Sequence, residues 1–89
     1  MEKIYQTIAC IKNAFPDGID EIYQDLIVCL KDDFTKQNLA ALLSYVCGKE
    51  PIVIQNDIEN CHSDEIPHEV MDALKRYGYI KEKQEPPQC

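Results

Sequence analysis

The sequence predicts an all-α protein, a compact bundle of four to five helices in a single domain, and two observations carry that prediction. Apolar residues recur three and four positions apart in successive segments, the period of one helix face. The segments are separated by residues that start, stop or turn helices, with Pro16-Asp17-Gly18, Thr35, Gly48, Pro67 and Gly78 at the boundaries. A chain of 89 residues has room for one modest core, with roughly 60–65% of its unfolded surface buried at this size. The helical domain is expected over residues 1–80, followed by a flexible polar tail over residues 81–89.

In residues 2–15, Ile4, Ile8, Ile11 and Phe15 fall on one helical face. Pro16-Asp17-Gly18 then joins a fixed φ, a side chain that bonds its own backbone and a residue free to take positive φ, so the chain turns. Ile22, Leu26, Cys29 and Leu30 repeat the pattern over residues 19–31, with Asp20 and Glu21 in the first turn where the helix dipole favours anions. Thr35 is the expected cap of a third helix, with Phe34 placed to staple Leu39. Leu39, Leu42, Leu43, Val46 and Cys47 form the broadest apolar stripe in the chain, so this helix is expected to be central, and Gly48 ends it.

Ile52-Val53-Ile54 is too short for periodicity to separate an extended segment from the start of a helix. A short helix is expected over residues 57–62, capped by Asn56 or Asp57 and turning Ile54, Ile58 and Cys61 inward. Pro67 suits the first turn of a last helix through Val70, Met71, Leu74 and Tyr77, closed by Gly78, with Tyr79 and Ile80 folding back on it. Tyr45 and Tyr77 are expected in the core, and Tyr23 at an interface or in a structural role.

Charge is the sharpest functional signal. The formal net charge is −7, and between Glu50 and Asp72 stand seven carboxylates with no lysine or arginine. A second run, Asp17 to Asp33, sets six carboxylates against Lys31. A field of one sign raises association rates with a basic partner and weakens with salt, so Asp57, Glu59, Asp64, Glu65, Glu69 and Asp72 are the first candidates for a partner-binding surface. Asp20, Glu21, Tyr23 and Asp25 are the second. The competing expectation is a solvated face on an intracellular regulatory or scaffolding domain.

Other classes find less support. The 28% of charged residues and the lack of an apolar run near the ~20 needed to span a bilayer argue against a membrane, and residues 1–15 hold no signal-peptide core, so a cytoplasmic protein is expected. An anionic chain without a basic stripe is a poor ligand for nucleic acid; Lys75, Arg76, Lys81 and Lys83 are the only basic cluster and suit a helix C-terminus. Five cysteines without a C-x-x-C pair suggest neither a disulfide framework nor a zinc ribbon, and Cys89 is the one expected to be exposed. Asp57, Glu59, Cys61, His62, Asp64 and His68 hold metal-ligand types at spacings that fit no familiar site, His62 standing where a calcium loop needs glycine and His68 where it needs glutamate. Cys61 and His62 are adjacent and so point about 100° apart on a helix, which makes no catalytic dyad. No catalytic residue, cofactor or metal is expected.

The run Phe15-Pro16-Asp17-Gly18-Ile19, the Leu-rich segment after Thr35, Asp64-Glu65-Ile66-Pro67 and Gly78-Tyr79 resemble an uncharacterised family of short helical domains best known from mycobacteria, over residues 8–80. The resemblance implies a compact helical bundle and brings no catalytic residues; the mycobacterial members carry fewer cysteines. In character, as a small acidic helical chain, the protein is similar to bacterial immunity proteins, which cover the positive cleft of a nuclease toxin with carboxylates. The function expected from the sequence is therefore a protein-binding module, monomeric in its complex, that neutralises a basic partner by occlusion.

Overall fold

The computed structural model describes residues 2–80 apart from Asp64, and the expected tail over residues 81–89, with Lys81, Lys83 and Cys89, lies outside the described residues. The fold is all-α. Helix α1 spans Glu2–Ala14, α2 Tyr23–Leu30, α3 Lys36–Cys47, α4 Pro51–Glu59 and α5 His68–Arg76, and a 3-10 turn at Asp20–Ile22 leads into α2. The α3–α4 hairpin is the most extensive helix pair; α1 packs on α3, and α5 closes the bundle against α1 and α2.

The first turn forms as its residues dictate: Gly18 takes φ 110° and its N–H bonds the Phe15 carbonyl at 3.1 Å. Ile8 and Ile11 are buried, with Ile4 and Phe15 packed against the same core. Thr35 caps α3, its hydroxyl accepting from the Asn38 N–H at 3.1 Å, and Gly48 ends it in the left-handed region at φ 81°. At the end of α5, the Gly78 N–H bonds the Lys75 carbonyl at 3.1 Å and the Tyr79 N–H reaches the Leu74 carbonyl at 3.0 Å. That pair of bonds is a Schellman closure, and it sets buried Tyr79 beside buried Leu74.

Four expectations need correction. The first concerns the core: α3 packs most extensively, against α4 and α1, as expected of a central helix, but α2 is the more deeply buried, with six of its eight residues buried, including Leu26 to Leu30 in succession, against four of twelve in α3. Ile27 and Val28 complete an apolar run, Leu26 to Leu30, that goes all round the second half of α2, while Gln24 in its first turn stays exposed. Helix α4 is the second correction. It begins at Pro51 and ends at Glu59, so Ile52-Val53-Ile54 is helical and the short helix expected over residues 57–62 is shifted forward. Proline at the first position lacks only an N–H that has no intrahelical partner there, and the Glu50 carbonyl accepts from Val53 and Ile54 at 3.1 and 3.2 Å. Ile54 is buried, with Ile58 and Cys61 packed on the core as expected.

Third, Tyr45 and Tyr77 are not core residues; they are 68% and 50% exposed. At about 100° per residue, Tyr45 lies well round the helix from Leu39 and Leu43, and Tyr77 is the α5 cap residue, already off the helical stripe at φ −102°. Fourth, Ile80 is 71% exposed and does not fold back with Tyr79; its carbonyl instead accepts from the Lys3 ammonium at 2.7 Å.

The two kinds of stabilisation differ in size. Leu43→Ala, at a fully buried site, is expected to lower unfolding free energy by roughly 2–5 kcal/mol, whereas Thr35→Ala removes one cap bond and costs about 1 kcal/mol. Urea denaturation of both variants checks the order.

Candidate functional site

Three elements meet at Tyr23. Its ring is buried at the start of α2, its hydroxyl donates to Asp57 Oδ2 on α4 at 2.7 Å, and the Lys49 ammonium from the α3–α4 turn stands 4.0 Å from the ring centroid. The cation faces the negative ring surface and the phenol edge meets a carboxylate, so the tyrosine joins a positive and a negative group across its own plane. Burial, then the bond to Asp57 and the Asp57 charge, push the Tyr23 phenol well above its ordinary value of 10.0, with Cys47 adding to the rise. Tyr23 is a neutral donor fixed in place, with none of the properties of a general base at neutral pH.

This node divides the carboxylates of the sequence into two groups. Asp57 is half-buried and bonded to Tyr23; Glu59 is paired with Lys36 at 2.7 Å across the α3–α4 hairpin. Both hold the fold, the second weakly because both partners are substantially exposed. Glu65, Glu69 and Asp72 are exposed with no hydrogen bond or ion pair among the described residues, and Asp64 lies outside them. Asp20 and Glu21 are likewise exposed and unpaired, and Asp25 is half-buried.

The two acidic runs are not gathered on one spot. The 3-10 turn with Asp20 and Glu21 enters α2 at its N-terminal end, whereas the Lys31 ammonium bonds the Ser63 carbonyl at 2.7 Å and so ties the loop that carries Glu65 to the other end. An eight-residue helix separates the ends by about 12 Å.

A surface hollow of about 380 Å³ opens beside the 3-10 turn, lined by Phe15, Asp17, Gly18, Asp20, Glu21 and Ile22. Asp17, exposed here, stood in the sequence as part of a turn and as the first carboxylate of the second acidic run, and Phe15 and Ile22, both half-buried, only as core positions. Three carboxylates and two apolar side chains thus line one hollow. Its chemistry suits a lysine or arginine side chain, whose aliphatic stem covers apolar surface while its head meets the acids. Among the described residues no three His, Cys, Asp or Glu side chains form a metal-binding group, His62 and His68 are exposed, and no helix is long and apolar enough to cross a membrane.

Comparison with protein-family models, with curated proteins and with solved structures finds no significant match. The geometry of the chain is thus the ground for any functional reading.

A group whose folded-state pKa is raised stabilises the fold fully below its unfolded value and loses that contribution as pH climbs through the folded one. For Tyr23 the loss therefore begins above pH 10.0. Tyr23→Phe is expected to cost roughly 1.5–3 kcal/mol at neutral pH, the range for a bond to a charged group, and to flatten the fall in stability above pH 10.0. Denaturant midpoints of the two proteins between neutral and alkaline pH measure both effects.

Proposed function

We propose that this protein is a non-catalytic binding module for a basic protein, acting by stoichiometric occlusion, and that its most concrete form is an immunity or antitoxin protein directed at a nuclease toxin. The observation that carries the reading is the hollow beside the 3-10 turn, where Asp17, Asp20 and Glu21 stand unpaired over Phe15 and Ile22. Carboxylates bound within the fold, as Asp57 and Glu59 are, have part of their acceptor capacity already taken. Those of the hollow have all of it open to a partner. A nuclease cleft must be positive to hold phosphates, and a projecting lysine or arginine at its rim matches the carboxylates of the hollow in charge and its apolar residues with an aliphatic stem.

On this reading Glu65, Glu69 and Asp72 steer the encounter, since long-range attraction needs net charge and no contact. The net charge of −7 supplies it. The aromatic Tyr23 acts from beneath, as the support that holds the 3-10 turn against α4.

Two measurements test the proposal. Expression of the product of the neighbouring reading frame with and without this chain is expected to show toxicity only in its absence; a harmless neighbour removes the immunity form. With a basic protein partner in hand, D20N/E21Q is expected to weaken binding by roughly ten-fold or more, and E69Q/D72N to slow association at low salt while changing dissociation little.

A further inference from the structure

Helices α1 and α3 lie side by side and run in the same direction. At their starts the Lys3 ammonium stands 6.0 Å from the ring centroid of Phe34, just ahead of α3, and at their ends the Lys12 ammonium stands 4.7 Å from that of Tyr45. Tyr5 and Lys12 are two helical turns apart and share one flank of α1 to within about 20°. The contact of Lys12 with Tyr45 fixes that flank as the one beside α3. Tyr45 in turn lies away from α4, because Lys36, which pairs with Glu59 of α4, stands about two and a half turns earlier, on the opposite side of α3. Tyr5 and Tyr45 are 70% and 68% exposed, and Ala41, one turn before Tyr45, is exposed on the same flank of α3. Two uncovered tyrosines, Lys12 and Ala41 thus form one strip across the α1–α3 pair.

We infer that this strip is a self-association face, on which a second copy of the chain docks about a two-fold axis. The inference goes beyond the binding of a basic partner and does not rest on it. Beyond Glu2 at the start of α1, neither α1 nor α3 carries an Asp or Glu, whereas α2, α4 and α5 each carry at least one. Two copies at −7 repel each other, so they can meet only where the acids lie elsewhere, and the α1–α3 pair is the helical face that meets this condition. The strip is also self-complementary. Tyr5 makes no hydrogen bond or ring contact among the described residues, and an axis midway between Tyr5 and Lys12 sets each Tyr5 ring against the partner's Lys12, once on either side. A basic partner would meet Lys12 as a like charge, and an acidic one is held off by the net charge without that reciprocal pairing. The face is about 18 Å long, the length of α3, and two helices or about 20 Å wide, on the order of 400 Å² a copy. That is about half of the ~800 Å² per partner of a standard interface, so the association is weak and reversible.

Sedimentation equilibrium of the full chain at low and high salt measures the association, with the protein kept reduced so that no disulfide joins two copies. The expected result is a concentration-dependent dimer that tightens as salt screens the repulsion between like-charged copies, the reverse of the salt response of a basic partner. Y5S is expected to weaken the dimer roughly ten-fold. A41E, which sets a carboxylate on the strip of both copies, is expected to weaken it to a similar degree while A41Q does not, and D20N/E21Q does not weaken it. The substituted residues are exposed, and circular dichroism checks that each variant stays folded. A chain that stays monomeric at high salt and high concentration overturns the inference and leaves the proposed basic partner in place. A dimer that Y5S and A41E leave intact also overturns it. A dimer that loosens with salt and is broken by D20N/E21Q assigns the pairing to the acidic hollow and likewise overturns it.

Discussion

Burying α2 along most of its length is the constraint from which the rest of the architecture follows. Six of its eight residues are buried, Leu26 to Leu30 in succession, and only Gln24 and Asp25 in its first turn reach solvent. Its ends are therefore held by groups from distant parts of the chain: Asp57 at the Tyr23 end, and the Ser63 carbonyl, which takes a bond from Lys31, at the other. The α3–α4 hairpin and the α4–α5 loop are positioned by those bonds as much as by apolar packing. No buried side-chain nitrogen or oxygen among the described residues is left without a partner, Thr7 inside α1 included, which is the condition for a small core to close without loss.

Tyrosine does this work twice. Besides Tyr23 with Asp57 and Lys49, Tyr79 donates to Asp33 at the end of α2 while the Lys3 ammonium stands 5.0 Å from its ring. In both nodes a buried phenyl body fills the core and a hydroxyl reaches a carboxylate at its edge, with a lysine over the ring. A protein of 89 residues without tryptophan has few large side chains with which to join helices. An amphipathic one that spans core and surface gives packing and orientation at once. Each node also commits a carboxylate to a bond within the fold.

That commitment bears on function. The charge pattern along the chain ranks Asp57 and Glu59 ahead of Asp20 and Glu21, yet among the described residues only the latter pair are without a hydrogen bond or ion pair. The hollow that brings three of these carboxylates together with Phe15 and Ile22 lies directly ahead of Tyr23 in the chain. Stability and the proposed binding surface thus share one support without sharing the residues that would touch a partner.

Local chemistry was sufficient for much of this fold. The turn at Pro16-Asp17-Gly18, the Thr35 cap, the Gly48 and Gly78 stops and the inward stripes of α1, α3 and α5 depend on residues within a turn or two of each other, so they were legible in the chain. The helical state of Ile52-Val53-Ile54, the enclosure of α2 and the outward placement of Tyr45 and Tyr77 were not. Three β-branched residues satisfy helix or strand equally, and an apolar run all round a helix shows burial only when neighbours exist to cover it. The surface was divided in the same way: sequence determined that the protein is acidic and where along the chain the acids lie. Only tertiary structure decided which of them remain available, because a carboxylate's partner is found across 34 residues in the case of Tyr23 and Asp57 and 23 in the case of Lys36 and Glu59, distances over which no local pattern reaches.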